Sequence, residues 1–220
     1  MLKHKYSVFI FFVLLAILFF TKASILFYVL LFLSFLAITT WGAFDIRLNY
    51  FTKAICKGNS IHKKNIAITF DDGPHEKTPK ILDVLKEYNA KATFFCIGKQ
   101  IEKHPEILKR ILNEGHNIGN HSYSHSKWNG FFSTQKIVSE IEQTNTLVSK
   151  LSNKKIRLFR PPFGVTNPNI ARAVVKTNQI VIGWNIRSLD TVIESENAIL
   201  NRIKSRVKPG EIILLHDTSV

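Results

Sequence analysis

From Asn65 onward, short apolar runs alternate with amphipathic stretches, and this alternation restricts the fold more than any other feature of the chain. The apolar runs are Ile66 to Phe70, Ala92 to Ile97, Asn117 to Gly119, Ile156 to Phe159, Ile180 to Trp184 and Ile212 to Leu215. Helical periodicity fills the intervals, at Thr78 to Tyr88, Gln100 to Asn113, Ser133 to Leu151, Asn167 to Lys176 and Glu194 to Val207. Strands and helices taking turns predict a parallel sheet, whose chemistry gathers at the carboxyl ends of the strands.

Polar motifs fall at those ends. Thr69-Phe70-Asp71-Asp72-Gly73-Pro74 sets adjacent carboxylates after a buried strand and turns at once. Like charges this close require a cation, a shared proton or open solvent. A solvated acidic turn satisfies the last condition, so the motif alone does not define a site. His121-Ser122-Tyr123-Ser124-His125 spaces two imidazoles so that a helical turn would point both the same way. Asp72, His121 and His125 together match the mixed three-ligand set of catalytic zinc, which leaves a position for water. Arg160-Pro161-Pro162-Phe163-Gly164 and Leu214-Leu215-His216-Asp217 follow two further apolar runs.

In order and spacing these motifs, with the Trp184 to Asp190 segment, resemble the polysaccharide deacetylases of the NodB-homology type, carbohydrate esterase family 4. The resemblance runs from about Asn65 to the end of the chain. It implies a shortened, distorted (β/α) barrel and a metal-dependent hydrolase that removes N-acetyl groups from amino sugars in cell-wall or surface polysaccharide. Asp71 would then be the general base, paired with Arg160, and His216 the general acid, its ring oriented by Asp190. Pro161, Phe163 and Leu214 would contact substrate: Phe163 stands where relatives commonly have tyrosine, its backbone N–H directed at the oxyanion, and Leu214 would flank the acetyl methyl. Zinc is the expected metal, with cobalt, nickel or manganese compatible with the same donors.

The chain departs from the family in two places. Where relatives read Asp-x-x-Asp-Trp, this chain reads Arg187-Ser188-Leu189-Asp190-Thr191, which puts the partner of His216 and one wall of the pocket in question. It also stops at Val220, short of a further helix and strand, so an incompletely closed barrel is expected.

Ahead of this domain the chain is apolar from Tyr6 to Phe20 and again from Ala23 to Phe44, broken by Thr21-Lys22. Either one long tilted helix or a helical hairpin accounts for this, and no small-residue cleavage site follows promptly enough for a signal peptide. The expected organisation is a membrane anchor over residues 1–44, a juxtamembrane linker over 45–64 and the catalytic domain over 65–220. Polymeric substrate predicts an extracytoplasmic domain. A hairpin, with Lys3, His4 and Lys5 at one end and Arg47, Lys53, Lys57, Lys63 and Lys64 at the other, would favour the cytoplasmic face and an N-deacylase or deformylase of a lipid-linked sugar. An inactive carbohydrate-binding remnant is the third reading. The net charge of +14 is spread without aromatic interleaving, which argues for membrane lipid rather than nucleic acid as partner. Cys56 and Cys96 are the only cysteines, and Cys96 reads as an inert thiol in a buried strand.

Overall fold

The computed structural model describes residues 3–58, 65–153 and 155–218. Its first elements are α1 (His4–Phe20) and α2 (Ile25–Phe44). They form a hairpin: Phe11 packs on Phe35 with ring centroids 4.7 Å apart, and the His4 N–H donates to the Tyr50 carbonyl at 3.0 Å. Both outer ends therefore lie on one side and the Lys22 turn on the other. Of the two, α2 has the length and composition to cross a membrane, about 30 Å at the helical rise.

The chain continues through β1 (Ala54–Ile55), β2 (Ala67–Asp71), α3 (Thr78–Glu87), β3 (Thr93–Cys96), α4 (Gly98–Lys103), α5 (Pro105–Asn113), β4 (Asn117–Asn120) and α6 (Thr134–Ser152). It ends with β5 (Leu158–Phe159), α7 (Pro168–Lys176), β6 (Ile180–Ile182), β7 (Ile186–Arg187), α8 (Glu196–Lys204) and β8 (Ile212–His216). The helix expected over Gln100 to Asn113 is two helices, because Pro105 forces His104 out of helical geometry. The strands β1 and β7 are only two residues long, too short for a periodic signal. Part of the expected linker is packed into the fold: β1 pairs with β6, and Ile46, Tyr50 and Ala54 are buried. Residues 59–64 of that linker lie outside the described residues.

All eight strands join one sheet, in the order β1-β6-β5-β4-β3-β2-β8-β7, and every pairing between them is parallel. Only residues 183–185 separate β6 from β7 in the chain, a reach of roughly 14 Å. In a flat sheet those two strands would stand about 29 Å apart. The sheet must therefore curl, and the fold is a parallel half-barrel closed by the segment from Ile180 to Arg187.

Register sets the chemistry. On β2, Asp71 lies opposite Phe95 of β3 and His216 of β8. Asn120 of β4 pairs with Phe159 of β5, so His121 and Arg160 follow side by side. Two apolar clusters hold this register, one around Leu82, Phe94, Ile101 and Leu108, the other around Ile46, Ile141, Phe159 and Ile170. Gly119 lets the Phe95 ring lie flat on β4, since any Cβ there would meet the ring. Gly119→Ala should therefore destabilise the protein by about 1–3 kcal/mol through overpacking, read as a lower denaturant midpoint; an unchanged midpoint would contradict this packing.

Candidate active site

Asp71, Asp72, His121, His125, Phe163, Leu214 and His216 line one cleft of about 190 Å³, together with Trp184, Arg187 and Thr191. Arg160 and Asp190 stand behind it, each holding a lining residue. Pro161 is buried and does not line the cleft.

The His-x-x-x-His pair is not on a helix. It lies on a loop in which Ser122 and His125 have φ of 63° and 47°, a turn that aims the rings at each other with centroids 4.8 Å apart. Buried polar groups hold this loop. The Asn120 side-chain oxygen accepts from the Ser122 N–H at 2.8 Å, and Ser122 Oγ accepts from the His125 N–H at 3.1 Å. Glu140 of α6, itself buried, accepts from the N–H groups of Tyr123 and Ser124 at 3.2 and 2.7 Å. Sequence reading missed Glu140, because its spacing marks only a helix face.

A metal fits the donors. One ligand atom each from Asp72, His121 and His125 lies within 4.8 Å of the others. Asp72 Oδ1 is buried with no hydrogen-bond partner among the described residues, 3.6 and 3.5 Å from Nε2 of His121 and His125. Those distances are too long for hydrogen bonds and suit an ion between the atoms. His121 Nδ1 donates to the Arg160 carbonyl at 2.7 Å, which leaves Nε2 as the lone-pair nitrogen. Burial and the charge of His125 push the His121 ring down to about 3, so it is neutral and able to ligate near pH 7.

Arg160 is fully buried and its donors are shared out with care. Its guanidinium donates to Asp71 Oδ1 at 2.7 Å, to Thr69 Oγ1 at 2.8 Å and to the carbonyls of Ile182 and Gly183. The Phe95 ring lies beneath it, 4.0 Å away. Burial pushes the Asp71 carboxyl above its ordinary range and Arg160 pulls it back without fully offsetting the rise. The pairing is as expected, but the balance leaves Asp71 a stronger base than an exposed aspartate.

Asp190 grips His216 at two points, accepting from its backbone N–H at 2.7 Å and from ring Nδ1 at 2.8 Å. Ser188 Oγ donates to the same carboxylate at 2.7 Å. Burial opposes a charge on His216, but the hydrogen bond and charge of Asp190, helped by Asp71 and Asp72, outweigh it and raise the imidazole above its ordinary value. The Phe163 N–H makes no hydrogen bond among the described residues, and the Phe163 ring rests on His125 at 4.7 Å. Asp217, in the last motif but given no role from sequence, is buried and accepts from Thr78 Oγ1 at 2.7 Å. It packs under Gly73, where a side chain would collide with its carboxylate, and so braces the turn that carries Asp72.

The family model for polysaccharide deacetylases matches residues 58–181. The chain belongs to the polysaccharide deacetylase family. A peptidoglycan-N-acetylglucosamine deacetylase of Bacillus cereus is 39% identical over 158 residues, which cover 71% of this chain and 57% of that protein. The chain thus spans little more than half the length of that curated relative. The solved structure of the peptidoglycan deacetylase PdaC from Bacillus subtilis superposes with a TM-score of 0.66 at 35% identity, over 71% of this chain and 76% of that one. A carbohydrate esterase family 4 pseudoenzyme from Bacillus anthracis, BA3943, superposes at 0.69 with 27% identity, over 76% and 60% of the two chains. Fold alone therefore does not certify activity, and the site residues must carry that argument.

Because Asp190 raises His216, the imidazolium persists to higher pH than a free histidine. Asp190→Asn should lower the His216 titration midpoint, measured by NMR of the ring. A midpoint that does not move would show that the contact contributes nothing to the charge of His216.

Proposed function

We propose that this polysaccharide deacetylase family member is an active, metal-dependent N-deacetylase of amino sugars, with Asp72, His121 and His125 as metal ligands. One observation supports this above the rest. An orphaned carboxylate oxygen and two imidazole nitrogens converge in a cleft that also holds a buried base and a histidine with its own carboxylate. The inactive-remnant reading lacks a motivating defect here, since no member of this set is missing.

A divalent ion at this site, zinc by donor type, would lower the pKa of a water and polarise the acetyl carbonyl. The residues of the chain do the rest. Asp71, held by Arg160, takes the proton from the attacking water. The Phe163 N–H donates to the oxyanion as the carbonyl carbon becomes tetrahedral. His216, protonated and positioned by Asp190, gives a proton to the sugar nitrogen as the C–N bond breaks, leaving acetate and a free amine. Leu214 flanks the acetyl methyl and Phe163 covers His125, while the buried Pro161 shapes the Phe163 turn from below.

Residues 1–44 act as the membrane anchor in this reading, residues 45–64 connect it, and residues 65–220 carry the catalytic machinery. The cell-wall substrates named for the relatives favour an extracytoplasmic domain. A second reading is favoured by the hairpin: it leaves Lys3, Lys5, Arg47, Lys53 and Lys57 on the domain side and only Lys22 at the far turn, the charge bias of a domain at the cytoplasmic face. There the substrate would be a lipid-linked amino sugar.

Exhaustive chelation should abolish acetate release from N-acetylglucosamine oligomers, and zinc or cobalt should restore it. Asp72→Ala should lose metal and activity together. Asp71→Asn should keep its metal while kcat falls by about 10²–10⁴-fold. Metal analysis beside acetate release tests all three, and an Asp71→Asn protein with normal turnover would remove the base assignment. For sidedness, a reporter fused after Val220 should be active only outside the cytoplasm; activity only inside would replace the first reading with the second.

A further inference from the structure

A second groove, of about 370 Å³, adjoins the catalytic cleft and shares Trp184 and Arg187 with it. Its lining brings together Arg47, Arg187, Arg202 and Arg206, four arginines drawn from three separate parts of the chain. Phe44, the last residue of α2, also lines it. The groove's one acidic lining residue, Asp45, is already neutralised by Arg47 through paired contacts of 2.8 and 2.7 Å. Arg202 is pinned by its Nε, which donates to the Arg187 carbonyl at 2.9 Å. The side chains of Arg187 and Arg206 have no ion-pair or hydrogen-bond partner among the described residues. With Arg47 and Asp45 paired to each other, Arg187, Arg202 and Arg206 remain as three cations without a carboxylate in one cavity, an arrangement suited to an anion that comes from outside.

We propose that this groove binds a phosphoryl group carried by the substrate, so that the preferred substrate is an amino sugar bearing a phosphate or diphosphate. The inference rests on the deacetylase reading for the neighbouring cleft and adds a recognition site to it. Guanidinium forks match phosphate oxygens in pairs, and the shared wall of Trp184 and Arg187 puts the sugar of such a substrate over the metal ligands while its phosphate lies among the arginines. Arg187 occupies the position where the family motif carries an aspartate, a reversal of charge at the mouth of the cleft that repels no anion and attracts one. The position of Phe44 directs the remainder of the substrate toward the membrane end of α2, as a lipid carrier would require. A soluble or polymer-borne sugar phosphate offers the same chemistry.

The full chain in detergent, carrying Asp71→Asn to prevent turnover, would be titrated calorimetrically with N-acetylglucosamine 1-phosphate and with N-acetylglucosamine. The phosphate should bind at least tenfold more tightly, and adding Arg206→Glu or Arg202→Gln should erase most of that difference. Arg206→Lys, which keeps the charge but loses the fork, should fall between. Equal binding of the two sugars overturns the proposal, as does a preference that survives both arginine changes. In parallel, the wild-type chain in phosphatidylcholine vesicles would be assayed for acetate release from polyprenyl-diphosphate-linked N-acetylglucosamine, from N-acetylglucosamine 1-phosphate and from neutral oligomers. The ratio of kcat/KM for phosphorylated over neutral substrate should exceed tenfold and drop in Arg206→Glu. A further gain for the lipid-linked form over the soluble one identifies a membrane carrier, and parity identifies a soluble or polymeric source. Phosphate-selective binding without acetate release from any substrate would sink the deacetylase reading and leave the groove standing.

Discussion

The buried guanidinium of Arg160 is the interaction on which the rest of this structure depends. It is fully enclosed, yet it touches both central and closing parts of the sheet: Asp71 and Thr69 on β2, and the Ile182 and Gly183 carbonyls of the segment that completes the curl. A charge so placed is tolerable only with nearly every donor satisfied. Satisfying them requires β2, β5 and the closing segment to hold one arrangement. Phe95 and Trp184 cover the flat faces of the guanidinium, which excludes water and strengthens the pairing with Asp71. Removing either partner would leave an uncompensated charge at a cost of about 3–5 kcal/mol. The Asp71 carboxylate and the closure of the half-barrel are therefore stabilised by the same group.

Much of this could be read from the residues before any coordinates. The six apolar runs all contain strands, and all the residues assigned to the metal set converge, because strand-end motifs in a parallel sheet have nowhere to go but one face. What escaped was short or irregular. Two-residue strands such as β1 and β7 carry no period. The burial of Ile46 and Tyr50 gave no warning in a stretch that otherwise reads as a basic, polar connector. Arg187 was visible as a departure from the family, but its neighbours Arg47 and Arg202 are distant in sequence, and only the curl of the sheet makes them one surface.

The geometry of the histidine loop shows why spacing can lead to the right residues for the wrong reason. His121 and His125 meet as they would on a helix, yet the backbone between them is anything but helical. Positive φ occurs at Asp72, Ser122, His125, Phe163 and Leu189, none of them glycine or asparagine, and each is in or beside the cleft. Such conformations cost about 1–3 kcal/mol each and persist only where surroundings impose them. Here the surroundings are identifiable. Asn120 and Glu140 hold the histidine loop, Asp217 and Thr78 hold the aspartate turn, and Ser188 with Asp190 holds Leu189 in place. Propensity offers a weak signal at Asp72 and His125, whose residue types tolerate positive φ, and none at Ser122, Phe163 or Leu189.

The same logic of imposed geometry extends to the hairpin. The Thr166 N–H, three residues past Phe163, donates to the Ala43 carbonyl at 2.9 Å, next to the last residue of α2. Gly42 gives the Tyr50 ring room to pack against the helix, and Ile46 enters the same apolar cluster as Phe159, the residue before Arg160. The hairpin is thus bonded to the loop that forms one wall of the cleft rather than tethered by a free arm. Any force that orients the hairpin orients with it the cleft that Phe163 and Arg187 line. The placement of the cleft relative to the hairpin is set by the packing of a few residues around Ala43 and Thr166.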